Sequence, residues 1–188
     1  MAARYPQRLA VRQPDPFGLA ILSRHPRADA RALQTRTDYD TLRLHATLLW
    51  QGQPVHLSAL HPMPPLNSAY AQARDQALVD EALRLSQSGG LGVMAGDLNT
   101  TPWARGLWGA EQAQMRRAGP GVPTWPNAWG GLSVLPLDPV LSSPGWQLVE
   151  AHPRPYLGSD HRPMVVRLVA RSTKPAPARP AASTRDGP

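Results

Sequence analysis

The chain has 188 residues, no cysteine, 41% hydrophobic residues and a formal charge of +7. That length and apolar content suit a single folded domain, and the missing thiols exclude disulfides and thiolate metal sites. No window approaches the ~20 consecutive apolar residues of a membrane-spanning helix, and the opening MAARYPQRLAVRQPDP lacks an apolar leader core, so a cytoplasmic protein is expected. All basic residues but Lys174 are arginine, and residues 171–188 supply four of them against one acid, leaving a mild excess over the rest. One reading of that balance is an arginine-driven nucleic-acid-binding module.

In chain order, residues 18–23, GLAILS, read as a short buried strand. Residues 41–50 alternate through Leu42, Leu44, Ala46 and Leu48, and residues 54–60 through Val55, Leu57 and Ala59. With the turn QGQ between them they predict a hairpin. The prolines of HPMPPLNS make a loop, and Asn67 or Ser68 can cap a helix over 69–88, where Ala73, Ala77, Leu78 and Leu85 recur near the helical period. Gly89-Gly90 end it, and residues 91–95, LGVMA, form the next strand. Thr101-Pro102 signal a second helix over 103–117. A Gly-, Pro- and Trp-rich loop follows over 118–131, then three further strands at 135–141, 147–151 and 163–170. After Ala170 the Pro, Ala, Ser, Thr and Arg composition predicts a disordered tail. Strands with two interspersed helices indicate a layered α/β domain.

Four places carry candidate chemistry. Asp97 and Asn99, in GDLN after an apolar strand, share a side if the strand continues; they offer a metal ligand or base with a phosphate-oxygen donor, or merely a turn and helix cap. Asp160-His161, at the entrance to PMVVRL, are a metal ligand beside a general base, or an exposed loop pair. His61, just past a strand, can protonate a leaving group or stand as a loop histidine. Asp138 interrupts the apolar LPLDPVL and needs a partner if buried, for which a histidine N–H is suited. His45 and His56 read as ordinary strand residues, and His25 and His152 have no evident partner. The chain has no G-x-S-x-G, P-loop or H-E-x-x-H motif, which leaves metal-assisted hydrolysis by activated water as the coherent chemistry.

In this order the motifs resemble the endonuclease/exonuclease/phosphatase superfamily, whose fold is that of deoxyribonuclease I. The matching stretches are FGLAILSRHP at 17–26, HPMPP at 61–65, GDLNTTPW at 96–103, TWP at 124–126, LDPVL at 137–141 and GSDHRPMVVRL at 158–168. The resemblance implies a partial four-layer α/β sandwich: two mixed, mostly antiparallel sheets flanked by helices, in one domain over 1–170. It implies that His61 assists at the scissile phosphate and that Asp97 and Asn99 orient water and phosphate. It further implies Asp160, with Asp97, as ligand to Mg²⁺ or Mn²⁺, His161 as a phosphate contact, and Asp138 as the acid holding that histidine. The activity implied is metal-dependent hydrolysis of phosphate esters, phosphodiesterase- or nuclease-like.

One departure bears on that expectation. The family places an Asn-bearing strand, a helix and a Glu-bearing strand before the segment matched by FGLAILSRHP, whereas here Glu81 is the first glutamate. The chain is therefore expected to lack the first β-α-β elements, and a catalytically impaired or non-catalytic protein of the same fold stands as an alternative. The substrate, whether DNA, RNA, lipid or a small phosphoester, stays open. Trp103, Trp108, Trp125 and Trp129 can line a cleft or pack the 118–131 loop, with packing the expectation.

Overall fold

The structure, a computed structural model, describes residues 4–34, 41–127, 133–155 and 157–171. Its first strands are β1 (Gln7–Val11), β2 (Leu19–Ser23), β3 (Arg27–Leu33), β4 (Arg43–Trp50) and β5 (Gln53–Leu60), followed by helix α1 (Ser68–Gln87) and β6 (Leu91–Ala95). Helix α2 (Arg105–Gln112) precedes β7 (Arg116–Arg117), β8 (Leu141–Ser142), β9 (Trp146–Pro153) and β10 (Met164–Ala170). Six of the strands form one sheet in the order β3-β4-β5-β6-β8-β7, and β1-β2 and β9-β10 form two antiparallel ribbons.

The predicted hairpin is β4-β5, closed by Gln51 and Gly52, both at positive φ (51° and 77°), as a primed two-residue turn requires. From β5 the chain crosses through α1 and returns as β6, parallel to β5. Asn67 caps α1 by accepting from the Tyr70 N–H at 2.8 Å. The buried stripe of α1, including Ala77, Leu78, Ala82 and Leu85, lies on one face of the sheet with Leu60, Met94, Leu98, Leu107, Met115 and Leu141. Each fully buried Leu or Met contributes on the order of 2 kcal/mol of transfer free energy. Helix α2 packs tightly on α1, because a Cβ at Gly106 would meet the Asp75 side chain at 2.5 Å. A second apolar cluster, Val55, Leu91 and Trp146 with Trp50, Val93 and Leu168, joins the sheet to the β9-β10 ribbon. The result is the layered α/β architecture expected.

One charged network is buried in this frame. Glu81 of α1 lies with its Oε1 2.8 Å from His45 Nε2, while its Oε2 accepts from Ser58 Oγ at 2.7 Å and from Arg84 Nε at 2.9 Å. Burial alone would raise the Glu81 pKa, but hydrogen bonds from His45, Arg84 and Ser58 outweigh it and bring the value down to about 2.

Several expectations are corrected. β1 and β3 were not anticipated: β3, RADARAL, is exposed along nearly its whole length, and its alternating residues are alanines, too small to mark a buried face. Helix α2 spans Arg105–Gln112 instead of 103–117, because Gln114 at φ 67° ends the turn and Arg116–Arg117 pair with β8. The strand expected over 135–141 reduces to a single Trp125–Leu135 bridge and the short β8, since Pro136 and Pro139 cannot donate to a ladder. Apart from Arg171, the tail expected to be disordered lies outside the described residues. Among those residues no helix is long and apolar enough to cross a membrane.

Candidate active site

The parallel β5-β6 pairing brings the first two candidates together. The ladder ends at Ala59↔Ala95, and two residues further along each strand stand His61 and Asp97, with His61 Nε2 3.4 Å from Asp97 Oδ2. Between them the chain squeezes past itself at Gly96 (φ 148°), where an added Cβ would lie 1.9 Å from the Leu60 carbonyl oxygen. Asn99 follows at φ 45°, a conformation that asparagine tolerates better than most residues. It is held on three sides: its N–H donates to Asp97 Oδ1 at 3.0 Å, its Nδ2 to the Pro62 carbonyl at 2.9 Å, and its own carbonyl accepts from Arg74 at 2.7 Å.

The other half arrives from later segments. The Leu98 N–H donates to the Leu137 carbonyl at 3.0 Å, which fixes Asp138 beside the loop that carries Asp97. The Arg162 N–H donates to the Thr124 carbonyl at 2.9 Å, and the Asn127 N–H to the Asp160 carbonyl at 2.6 Å, pinning the 158–162 turn to the TWP segment. His161 then lies between two acids: Nδ1 is 2.8 Å from Asp138 Oδ2, and Nε2 is 3.4 Å from Asp97 Oδ2. A carboxylate only accepts, so Nδ1 donates to Asp138 and Nε2 faces the cleft. The hydrogen bond that His161 donates to Asp138, aided by the charges of Asp138, Asp97 and Asp160, raises the His161 pKa against the opposing effect of burial.

These side chains line a cleft of about 830 Å³ together with Phe17, Leu66, Arg74, Trp125 and Asp160. Phe17 leans on His61 with ring centroids 4.5 Å apart, and Trp125 sits 6.4 Å from His161. His61, Asp97, Asn99, Asp138, Asp160 and His161 thus meet in one place. Asp97, Asp138 and His161 offer donor atoms all within 4.8 Å of one another, a set of hard oxygens and an imidazole that fits a divalent ion. Asp160 lies outside that trio; its Oδ2 is 3.4 Å from Trp125 Nε1.

Among the lining residues that sequence reasoning did not single out are Phe17, Leu66 and Arg74. Phe17 entered the sequence reading only as the first residue of FGLAILSRHP, and Arg74 only as part of the predicted helix over 69–88. Trp125 corrects the packing expectation, since it lines the cleft. Trp103 and Trp108 are 75% and 62% exposed and so pack no loop, and Trp129 lies outside the described residues.

Residues 3–161 match the family model described as Endonuclease/Exonuclease/phosphatase family. The chain belongs to that family. Solved structures of endonuclease/exonuclease/phosphatase proteins share its deoxyribonuclease I-like fold. One, from Beutenbergia cavernae DSM 12333, is 22% identical with TM-score 0.65, over 81% of this chain and 47% of that protein. D. rerio TDP2 complexed with a single-strand DNA product matches at 15% identity and TM-score 0.69, over 90% of this chain and 78% of that one. The human Nocturnin catalytic domain with bound sulfate matches at 15% identity and TM-score 0.68, over 88% and 72%. This family member spans about half the length of the Beutenbergia protein. No curated protein matches the chain by sequence.

Proposed function

We propose that the chain hydrolyses a phosphate ester with water activated in this cleft. The observation that carries the reading is Asp97 Oδ2 standing 3.4 Å from both His61 Nε2 and His161 Nε2, with His161 oriented by Asp138. One carboxylate between two imidazoles, with a carboxamide beside it, supplies the acid, base and phosphate-binding groups that such a reaction needs.

In this scheme Asp97 orients the attacking water and takes its proton. Asn99 and His161 hold the phosphoryl oxygens, and Asp138 stabilises the His161 imidazolium that faces them. The new P–O bond forms as the bond to the leaving oxygen breaks, and His61 delivers a proton to that oxygen. Asp97, within the Asp97, Asp138 and His161 cluster, would hold Mg²⁺ or Mn²⁺, with Asp160 of the cleft lining as the further carboxylate, and the ion's charge would offset that on the phosphoryl oxygens. The DNA-bound relative makes nucleic acid one candidate substrate class.

The test is steady-state hydrolysis of bis(p-nitrophenyl) phosphate by the purified chain with Mg²⁺, with Mn²⁺ and with chelator. Turnover should require the metal and disappear in His161→Ala. Turnover that survives both treatments sinks the proposal, and absence of turnover in the wild type favours a non-catalytic protein of this fold.

A further inference from the structure

Among the described residues, the non-reacting walls of the cleft are apolar and carry no cation free to meet a second phosphate. Phe17, Pro64, Leu66, Trp125, Leu135 and Leu137 form much of the lining. Leu66 is 78% exposed at the rim, a branched side chain held out towards whatever enters. Among the described residues, Arg74 is the one Lys or Arg of the lining. Its guanidinium is already committed, donating to the Asn99 carbonyl at 2.7 Å and to Asp75 Oδ1 at 2.9 and 2.7 Å.

The primary sequence points the same way. Neither residues 44–73, which include the HPMPP loop, nor residues 118–153, which include TWP and LDPVL, contain a single Lys or Arg. The HPMPP and TWP–LDPVL walls thus carry none of the chain's basic excess, whose nearest member in sequence to the rest of the lining is Arg162, beside His161. Within the cleft three acids, Asp97, Asp138 and Asp160, stand around the two histidines.

A nucleic-acid strand brings a charge with every nucleotide, and proteins that bind it draw most of their affinity from Lys and Arg on flanking phosphates. Here His161 and a divalent ion can meet the charge of one phosphoryl group. A neighbouring phosphate would face uncharged walls or the acids.

We infer that the preferred substrate carries a single phosphoryl group and an uncharged apolar substituent, aryl or alkyl, that lies against Phe17, Leu66 and Trp125. This rests on the reading that the cleft receives a phosphoryl group. It is tested by binding, which needs no turnover. Isothermal titration in Mg²⁺ would compare inorganic phosphate, benzylphosphonate, octylphosphonate and a short oligothymidylate.

Both phosphonates should bind at least about tenfold tighter than inorganic phosphate, and raising salt from about 50 to about 200 mM should change their affinity less than about twofold. The better of the two tells an aryl from an alkyl substituent. Leu66→Ser, at an exposed position that folding does not need, should narrow the gap between the phosphonates and inorganic phosphate. Phosphonates that bind no tighter than inorganic phosphate overturn the inference. So does an oligothymidylate that binds tighter than either phosphonate with a steep salt dependence. The hydrolase reading fails separately, if the wild type turns over none of the esters of these compounds. Hydrolysis of DNA in preference to aryl esters, lost in His161→Ala, would keep the hydrolase reading and sink this inference alone.

Discussion

Glu81 and Asp97 each hold a carboxylate against histidine, yet they are built to opposite degrees of completion. The Glu81 side chain is 4% exposed, and its two oxygens meet His45, Ser58 and Arg84 at 2.7 to 2.9 Å, full hydrogen-bonding distance. The Asp97 side chain is 19% exposed, and its Oδ2 lies 3.4 Å from both imidazoles, too far for a strong hydrogen bond. The first cluster is saturated and walled in, so it fastens α1 to β4 and β5. The second is pre-aligned but open to a cleft, which is how a group that must bind a reacting atom differs from one that must hold a fold.

That contrast breaks most directly at His161. His161→Ala should lower kcat/KM about 10²- to 10⁴-fold while leaving the thermal melt nearly unchanged, because His161 is partly exposed and its loss empties no core. Steady-state kinetics alongside calorimetry reads both; full activity, or collapse of the fold, would erase the distinction. Glu81→Ala should do the converse. Removing the partner of the buried His45 imidazole and the half-buried Arg84 guanidinium should cost about 3 to 5 kcal/mol in urea denaturation, with kcat per folded molecule close to wild type.

The same network sets an acid response. Glu81 titrates near 4.5 when unfolded and about 2 when folded, so the folded state binds its proton later. Its contribution, up to about 3 kcal/mol, is present above the unfolded value and is lost as pH falls through the folded one. Denaturation midpoints measured stepwise across that window should fall with acid in the wild type and flatten in Glu81→Gln. A slope that the variant leaves intact assigns the acid response elsewhere. Smallest is Asp138→Asn, which replaces an acceptor that charges with one that does not. It should lower kcat about 10- to 100-fold and bring the His161 pKa down, read from the imidazole proton shifts in an NMR titration. An unmoved pKa would mean that Asp138 is not what raises it.

The elements legible in the sequence were those whose burial is one-sided. β4, β5, β6 and α1 came through because alternation or the helical period survives wherever one face meets a core. β3 is an edge strand whose alternate residues are only alanines, and β1 is a five-residue strand whose alternation rests on Leu9 and Val11 alone, so neither leaves a periodic trace long enough to read. The site residues were legible as chemistry and their meeting was legible only through the family resemblance. No local pattern states that residue 61 reaches residue 97; the parallel register does. The use of Glu81 was hidden for the opposite reason, since a helix residue's partners on a neighbouring sheet have no sequence spacing at all.

The way β5 hands over to β6 has a further consequence. Five ladder pairs and the close pass at Gly96 fix the spacing between an imidazole and a carboxylate 36 positions apart in the chain, so that spacing is independent of the 63–66 loop beside it. The reactive pair and the entrance can therefore vary separately. Grafting a different loop at 63–66 would retune what is admitted, while the strands keep the two reacting groups in step.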